Sequence, residues 1–300
     1  MEKVNKVIFF GCNGYIGSHI VSDLKSKNYF ISGFDVNDNS FISDLDSYGK
    51  IDIVEIKDLK RINFDVDFIY YFSGITGTHI SLENFGKFID VNEKGLLNLL
   101  MCIKEQGVRP KIIFPSTRLV YKGVSNISLS ETAEKEFKTI YALNKFHNEE
   151  CLRMFGNYYN IPFVVFRIGV PYGNILSEDY SYGTLGFFLS QAKNNKPITL
   201  YGDGKLRRTF TYISDISHQI INVSELKVSN FETYNISGET YSLLEIASLI
   251  SDKYEVGIKH TEWPKLALAV ESGDTIFDSS KIDELVRPNQ ISLLKWINNL

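Results

Sequence analysis

Between Lys6 and Arg167, short runs rich in β-branched and aromatic residues alternate with longer stretches whose apolar residues recur every three or four positions. Runs such as Val7-IF-Phe10 suit strands covered on both faces, and the longer period suits helices lying over them. The pattern predicts strands at Lys6–Phe10, Phe30–Asp35, Asp52–Glu55, Phe68–Phe72, Lys111–Ser116 and Phe163–Arg167, with helices at Tyr15–Lys27, Phe85–Gln106 and Thr139–Asn160. Strands and helices in alternation define an α/β fold, a doubly wound parallel sheet with crossover helices.

Beyond Arg167 the regularity loosens into stretches rich in Gly, Tyr and Ser, such as Tyr201-GDGKLR-Arg208, with short helices expected near Leu185–Asn194 and Leu243–Tyr254. The division expected is a sheet domain over 1–167 and a smaller C-terminal lobe over 168–300, some of whose segments return to the sheet.

Composition narrows the partners. The 300 residues carry 44% hydrophobic and 23% charged content with a net charge of −4, and no basic stretch exceeds Arg207-Arg208. Nucleic acid and membrane surfaces are therefore not expected as partners, and any anion must be held locally. The apolar run near the N-terminus is too short for a signal peptide, which leaves a cytoplasmic location as the expectation. Cys12, Cys102 and Cys151 are odd in number and far from histidine clusters, so they read as buried small residues and no metal is expected. His79 and His147 lack partners at ligand spacing and read as non-catalytic.

Gly11, Gly14 and Gly17 follow the first strand and open the first helix. Glycine there gives a tight turn and lets a diphosphate approach unpaired amides at the helix start. Asp35 ends the next strand, 18 residues after Gly17, where a carboxylate can bind the ribose hydroxyls of an adenosine. This is the Rossmann-type dinucleotide arrangement, and the lack of an arginine just after Asp35 favours NAD over NADP.

Tyr141 and Lys145 lie four apart in a predicted helix and so share a face; the sequence repeats that spacing at Tyr201 and Lys205, across a glycine turn. A neighbouring ammonium and a positive nicotinamide both favour the phenolate, so such a tyrosine can exchange a hydroxyl proton while a hydride moves. Ser116 and Thr117 stand at the end of a predicted strand, either able to hydrogen-bond the same substrate oxygen.

With these residues in place the sequence resembles the extended short-chain dehydrogenase/reductase family, in its nucleotide-sugar epimerase and dehydratase branch, which includes UDP-sugar 4-epimerases. The resemblance runs through Gly11–Gly17, Asp35, Tyr71-FS-Gly74, Asn92, Thr117 before Val120-Tyr121, Tyr141, Lys145, Arg167 with Tyr172-Gly173, and Tyr201 to Asp215. It implies that Tyr141 is the acid/base, that Lys145 holds the nicotinamide ribose and tunes Tyr141, and that Thr117 bonds the hydroxyl being oxidised. It implies an NAD site built from Gly11, Asn13, Gly14, Tyr15, Ile16, Gly17, Asp35, Phe72, Ser73, Gly74, Asn92 and Lys145. Arg208 matches an arginine that grips a substrate diphosphate, Tyr172 is expected to border the sugar, and a homodimer through the two long helices is implied.

Departures from the family pattern shape the reaction expected. Arg118 and Leu119 occupy the places where dehydratases carry an Asp-Glu pair, so elimination of water is not expected. Val170 replaces a common asparagine, Leu206 and Thr209 replace Gln and Asp, and Glu271 replaces an arginine of the nucleotide pocket.

The function expected is an NAD-dependent nucleotide-sugar epimerase, acting at C4 through a transient 4-keto sugar. The alternatives are an NAD(P)H-dependent 4-ketoreductase making a deoxysugar nucleotide with the same three residues, and a non-catalytic dinucleotide-binding protein.

Overall fold

The computed structural model describes residues 4–43, 45–78, 80–173, 183–288 and 291–300. His79 lies outside them. Seven parallel strands form the main sheet: β1 (Lys6–Phe10), β2 (Phe30–Asp35), β3 (Ser47–Lys50), β4 (Phe68–Tyr71), β5 (Lys111–Thr117), β6 (Phe163–Ile168) and β7 (Glu232–Asn235). Their order is β7-β6-β5-β4-β1-β2-β3, so the strand order reverses between β1 and β4. A crevice opens at such a reversal beyond the carboxyl ends of the strands, and there a doubly wound sheet takes its ligand.

Alternate residues of each strand enter opposite core layers. Ile8 and Phe10 pack with α2 (Gly95–Gln106) and α3 (Ile140–Tyr159) on one face. Val7 and Phe9 pack with α1 (Tyr15–Ser26) and α4 (Ile213–Glu225) on the other. Burial on both faces is why these strands read as continuous apolar runs.

Two sequence expectations needed correction. The third strand is Ser47–Lys50, not Asp52–Glu55. The ladder to β2 is made by this polar edge segment, while Ile51 and Ile53 turn inward to the core and Asn98 caps the Ile53 and Val54 carbonyls. The helix expected over Phe85–Gln106 is interrupted by a π-type turn at Ile89–Lys94, which carries Asn92 inward. A seventh strand, β7, joins the far edge beside β6.

Much of the remaining C-terminal region packs around a separate apolar cluster. A three-stranded sheet of Val170–Tyr172, Arg207–Tyr212 and Glu239–Ser242 is covered by helices Gly183–Lys193 and Leu243–Tyr254. Ser242 and Glu245 close a capping box at the start of the second helix. The segment Arg207–Tyr212 also brings Arg208 toward the open ends of β5 and β6.

Candidate active site

The crevice holds a cavity of about 620 Å3, lined along one side by the glycine loop and along the other by Thr117, Tyr141, Lys145 and Arg208.

The loop is built by close approach. Gly11 takes φ +78°, donates to the carbonyl of Phe34, and leaves so little room that an added Cβ would sit 2.7 Å from the Phe72 backbone. A Cβ on Gly17 would sit 2.4 Å from the Gly11 carbonyl oxygen. Gly14 begins α1 with no side-chain cap, leaving the first-turn amides to face the cavity together with Tyr15 and Ile16. Asp35, at the end of β2, accepts from the Asn13 amide at 3.2 Å and so sits beside the loop. Bare backbone, a helix start and a flanking carboxylate form a cradle that fits NAD.

Asn13 folds back on its own surroundings, accepting from the Phe41 amide at 2.9 Å. Phe72 and Gly74 line the cavity, and Ser73 lies between them in the same stretch. Asn92 acts from behind: it accepts from the Ile75 amide at 2.9 Å and donates to the Ile75 carbonyl at 3.1 Å, holding the loop that lines the cavity.

Tyr141 and Lys145 enter from the first turns of α3, which Thr139 caps by accepting from the Ala142 amide at 3.0 Å. Lys145 is buried, donates from Nζ to the Pro115 carbonyl at 2.8 Å, and stands 5.9 Å from the centre of the Tyr141 ring. Burial pushes its ammonium down to about 8, with Glu149 opposing. Thr117 ends β5, and its hydroxyl accepts from the Leu119 amide at 3.3 Å. Helix and strand thus converge a phenol, an ammonium and a hydroxyl on one end of the cavity.

Glu149 is a supporting residue that sequence reasoning overlooked. Its carboxylate is fully buried, accepts from Ser116 Oγ, and pairs with Arg167 through both oxygens at 3.0 and 2.5 Å. Arg167 also reaches Tyr121 Oη at 2.7 Å. Burial alone would lower Arg167, but Glu149 outweighs it and holds the guanidinium above its usual range. The signal in the sequence was the spacing Tyr141, Lys145, Glu149, four apart along one helix face.

On the far side, Arg208 lines the cavity and its Nη2 pairs with Glu271 at 2.7 Å, while Arg118 lines it from just after Thr117. Val170 is a wall residue, and Thr209 points away to accept from the Phe277 amide at 2.8 Å. Among the described residues Tyr172 is not part of the cavity lining. Its ring is buried against Tyr212 and Trp296, and its hydroxyl donates to the Ile291 carbonyl at 2.6 Å, so the sugar-side expectation for it fails on packing. The Tyr201–Lys205 pair is split, with Tyr201 at a strand end and Lys205 just beyond the glycine turn.

A doubly wound sheet with a glycine cradle beside a Thr, Tyr and Lys cluster defines a dinucleotide-dependent enzyme class. The sequence model of the NAD dependent epimerase/dehydratase family matches residues 7–237, and the chain belongs to that family. Its relatives include an uncharacterised UDP-glucose epimerase, YtcB, of Bacillus subtilis, 29% identical over 97% of this chain and 94% of that protein. A putative UDP-glucose 4-epimerase of Methanocaldococcus jannaschii is 26% identical over 94% of this chain and 88% of the relative. Among solved structures, UDP-glucuronic acid 4-epimerase from Bacillus cereus, in complex with UDP-glucuronic acid and NAD, superposes with a TM-score of 0.84 at 25% identity, covering 97% and 96% of the two chains.

Proposed function

We propose that this protein is an NAD-dependent epimerase that inverts C4 of a nucleotide-diphosphate sugar. The observation that carries the reading is the convergence of Tyr141, Lys145 and Thr117 on the cavity that the glycine loop also lines. Tyr141 takes the proton of the C4 hydroxyl and later returns it, and Thr117 hydrogen-bonds the same oxygen. The buried Lys145 ammonium, anchored on Pro115, stabilises the phenolate and holds the nicotinamide ribose. NAD bound on the glycine loop and Asp35 supplies the acceptor and donor of the hydride. Arg208 keeps the diphosphate in place while the 4-keto sugar turns to present its other face.

In this reading residues 1–167 bind the cofactor and 168–300 mainly the substrate. Two copies pair through α2 and α3, whose exposed Met101, Leu143, Met154 and Tyr158 support an apolar helix-to-helix contact. Among the described residues no helix is long and apolar enough to cross a membrane. A cytoplasmic location completes the proposal.

The test is to denature the purified protein and identify any nucleotide released. Near-stoichiometric NAD fits a cofactor kept through each turnover. An empty site that takes up NADPH in preference moves the function to a 4-ketoreductase.

A further inference from the structure

The cationic end of the cavity holds more positive charge than Arg208 alone supplies. Arg118 leaves the chain one residue after Thr117, lines the cavity, and donates from Nη1 to Thr275 Oγ1 at 3.0 Å. Thr275 is bridged through its backbone to Arg208, so the Arg118 guanidinium ends beside the strand that carries the second arginine. Burial lowers the Arg118 guanidinium from its usual range, Arg208 lowers it further, and Glu271 opposes both.

Two arginines face one carboxylate, Glu271, which Arg208 binds through Nη2 while Nη1 donates to Thr184 at 3.2 Å. Arg208 is only 6% exposed, yet its Nε has no hydrogen-bond partner among the described residues. A buried donor left unpaired costs free energy comparable to a lost hydrogen bond. Like charges held together in a partly buried cavity favour an anion beside them, and among the described residues Glu271 supplies a single negative charge for the two.

We propose that Arg118 and Arg208 together form the grip for the substrate's diphosphate, and that Glu271 is the internal anion this diphosphate displaces. The inference rests on the nucleotide-sugar reading above and adds to it a second binding arginine and a built-in competitor. Arg118 thereby links the two ends of the substrate: its backbone adjoins the Thr117 hydroxyl at the reacting carbon and its guanidinium reaches the diphosphate. The diphosphate satisfies Arg208 Nε and brings a second negative charge that Glu271 lacks.

The experiment is calorimetric binding of UDP, dTDP and GDP, each against its monophosphate, to NAD-loaded wild type, Arg118→Met and Glu271→Gln proteins, with thermal unfolding run on each. For the diphosphate that wild type binds best, Arg118→Met is expected to weaken binding about 10- to 100-fold, with a smaller loss for the monophosphate. Glu271→Gln is expected to tighten the diphosphate about fivefold, an opposite change that a merely structural role does not produce. Unchanged diphosphate binding in Arg118→Met, with loss only for intact sugar nucleotides, assigns Arg118 to the sugar and overturns the inference. Weaker binding in a folded Glu271→Gln overturns the competitor role. A wild type that prefers no diphosphate over its monophosphate defeats the nucleotide-sugar reading itself, and this inference with it.

Discussion

Lys145 donates from Nζ to the carbonyl of Pro115 at 2.8 Å, fastening a side chain of α3 onto the strand that ends at Thr117. That bond fixes the ammonium relative to both the phenol and the hydroxyl. In the proposed reaction proton transfer tolerates little misplacement, so the helix–strand junction would serve that chemistry.

Replacing Tyr141 by Phe removes the hydroxyl and keeps the ring. Turnover is expected to fall about 100- to 10,000-fold while NAD stays bound. Rates, together with nucleotide released on denaturation, check this. Undiminished turnover removes Tyr141 from the proton-transfer role.

The buried lysine makes stability depend on pH in a definite direction. The folded state holds Lys145 near 8 against an ordinary 10.5, so between those values the unfolded chain binds more protons. Wild type should therefore gain stability relative to Lys145→Met as pH rises through that window, by on the order of 3 kcal/mol at most. Urea unfolding of both proteins at pH 7.0 and 10.5, reading the change in the gap between them, tests the sign.

The Glu149–Arg167 pair is fully buried, and breaking one side leaves a charge without its partner. Glu149→Gln should cost about 3–5 kcal/mol, with Arg167→Met similar and the double variant well short of the sum. Additive losses in denaturant titrations contradict coupling through this pair.

Two glycines of one loop should behave differently. A Cβ at Gly17 meets the Gly11 carbonyl at 2.4 Å, whereas one at Gly14 lies 3.3 Å from the same oxygen. Gly17→Ala is expected to destabilise the fold by about 1–3 kcal/mol. Gly14→Ala should keep the fold and weaken NAD about tenfold, because the methyl stands where the diphosphate approaches. Thermal unfolding paired with NAD titration separates the two effects.

What the sequence made legible follows from which interactions are local. Val7-IF-Phe10 with its glycines and Asp35 could be read because a buried parallel strand and a phosphate turn each leave a compact pattern. Ser47–Lys50 could not, since an edge strand this polar looks like a loop beside the more apolar Ile51-DIV-Glu55. The π-type turn that aims Asn92 at Ile75 lies inside an uninterrupted helical pattern. Tyr172 was misplaced because its direction is set by Tyr212 and Trp296, distant in the chain. Glu149–Arg167 and Arg208–Glu271 join residues 18 and 63 apart, and nothing local announces such pairs.

The proposed reaction inverts C4 by returning the same hydride to the sugar. A panel of nucleotide-diphosphate sugars deuterated at C4 should be incubated with the protein in ordinary water, with no cofactor added, and followed by proton NMR and mass. A C4 epimer that keeps its deuterium is expected, with no net change in cofactor redox state. Loss of the label to solvent, or no inversion of any member without stoichiometric NADPH, contradicts it.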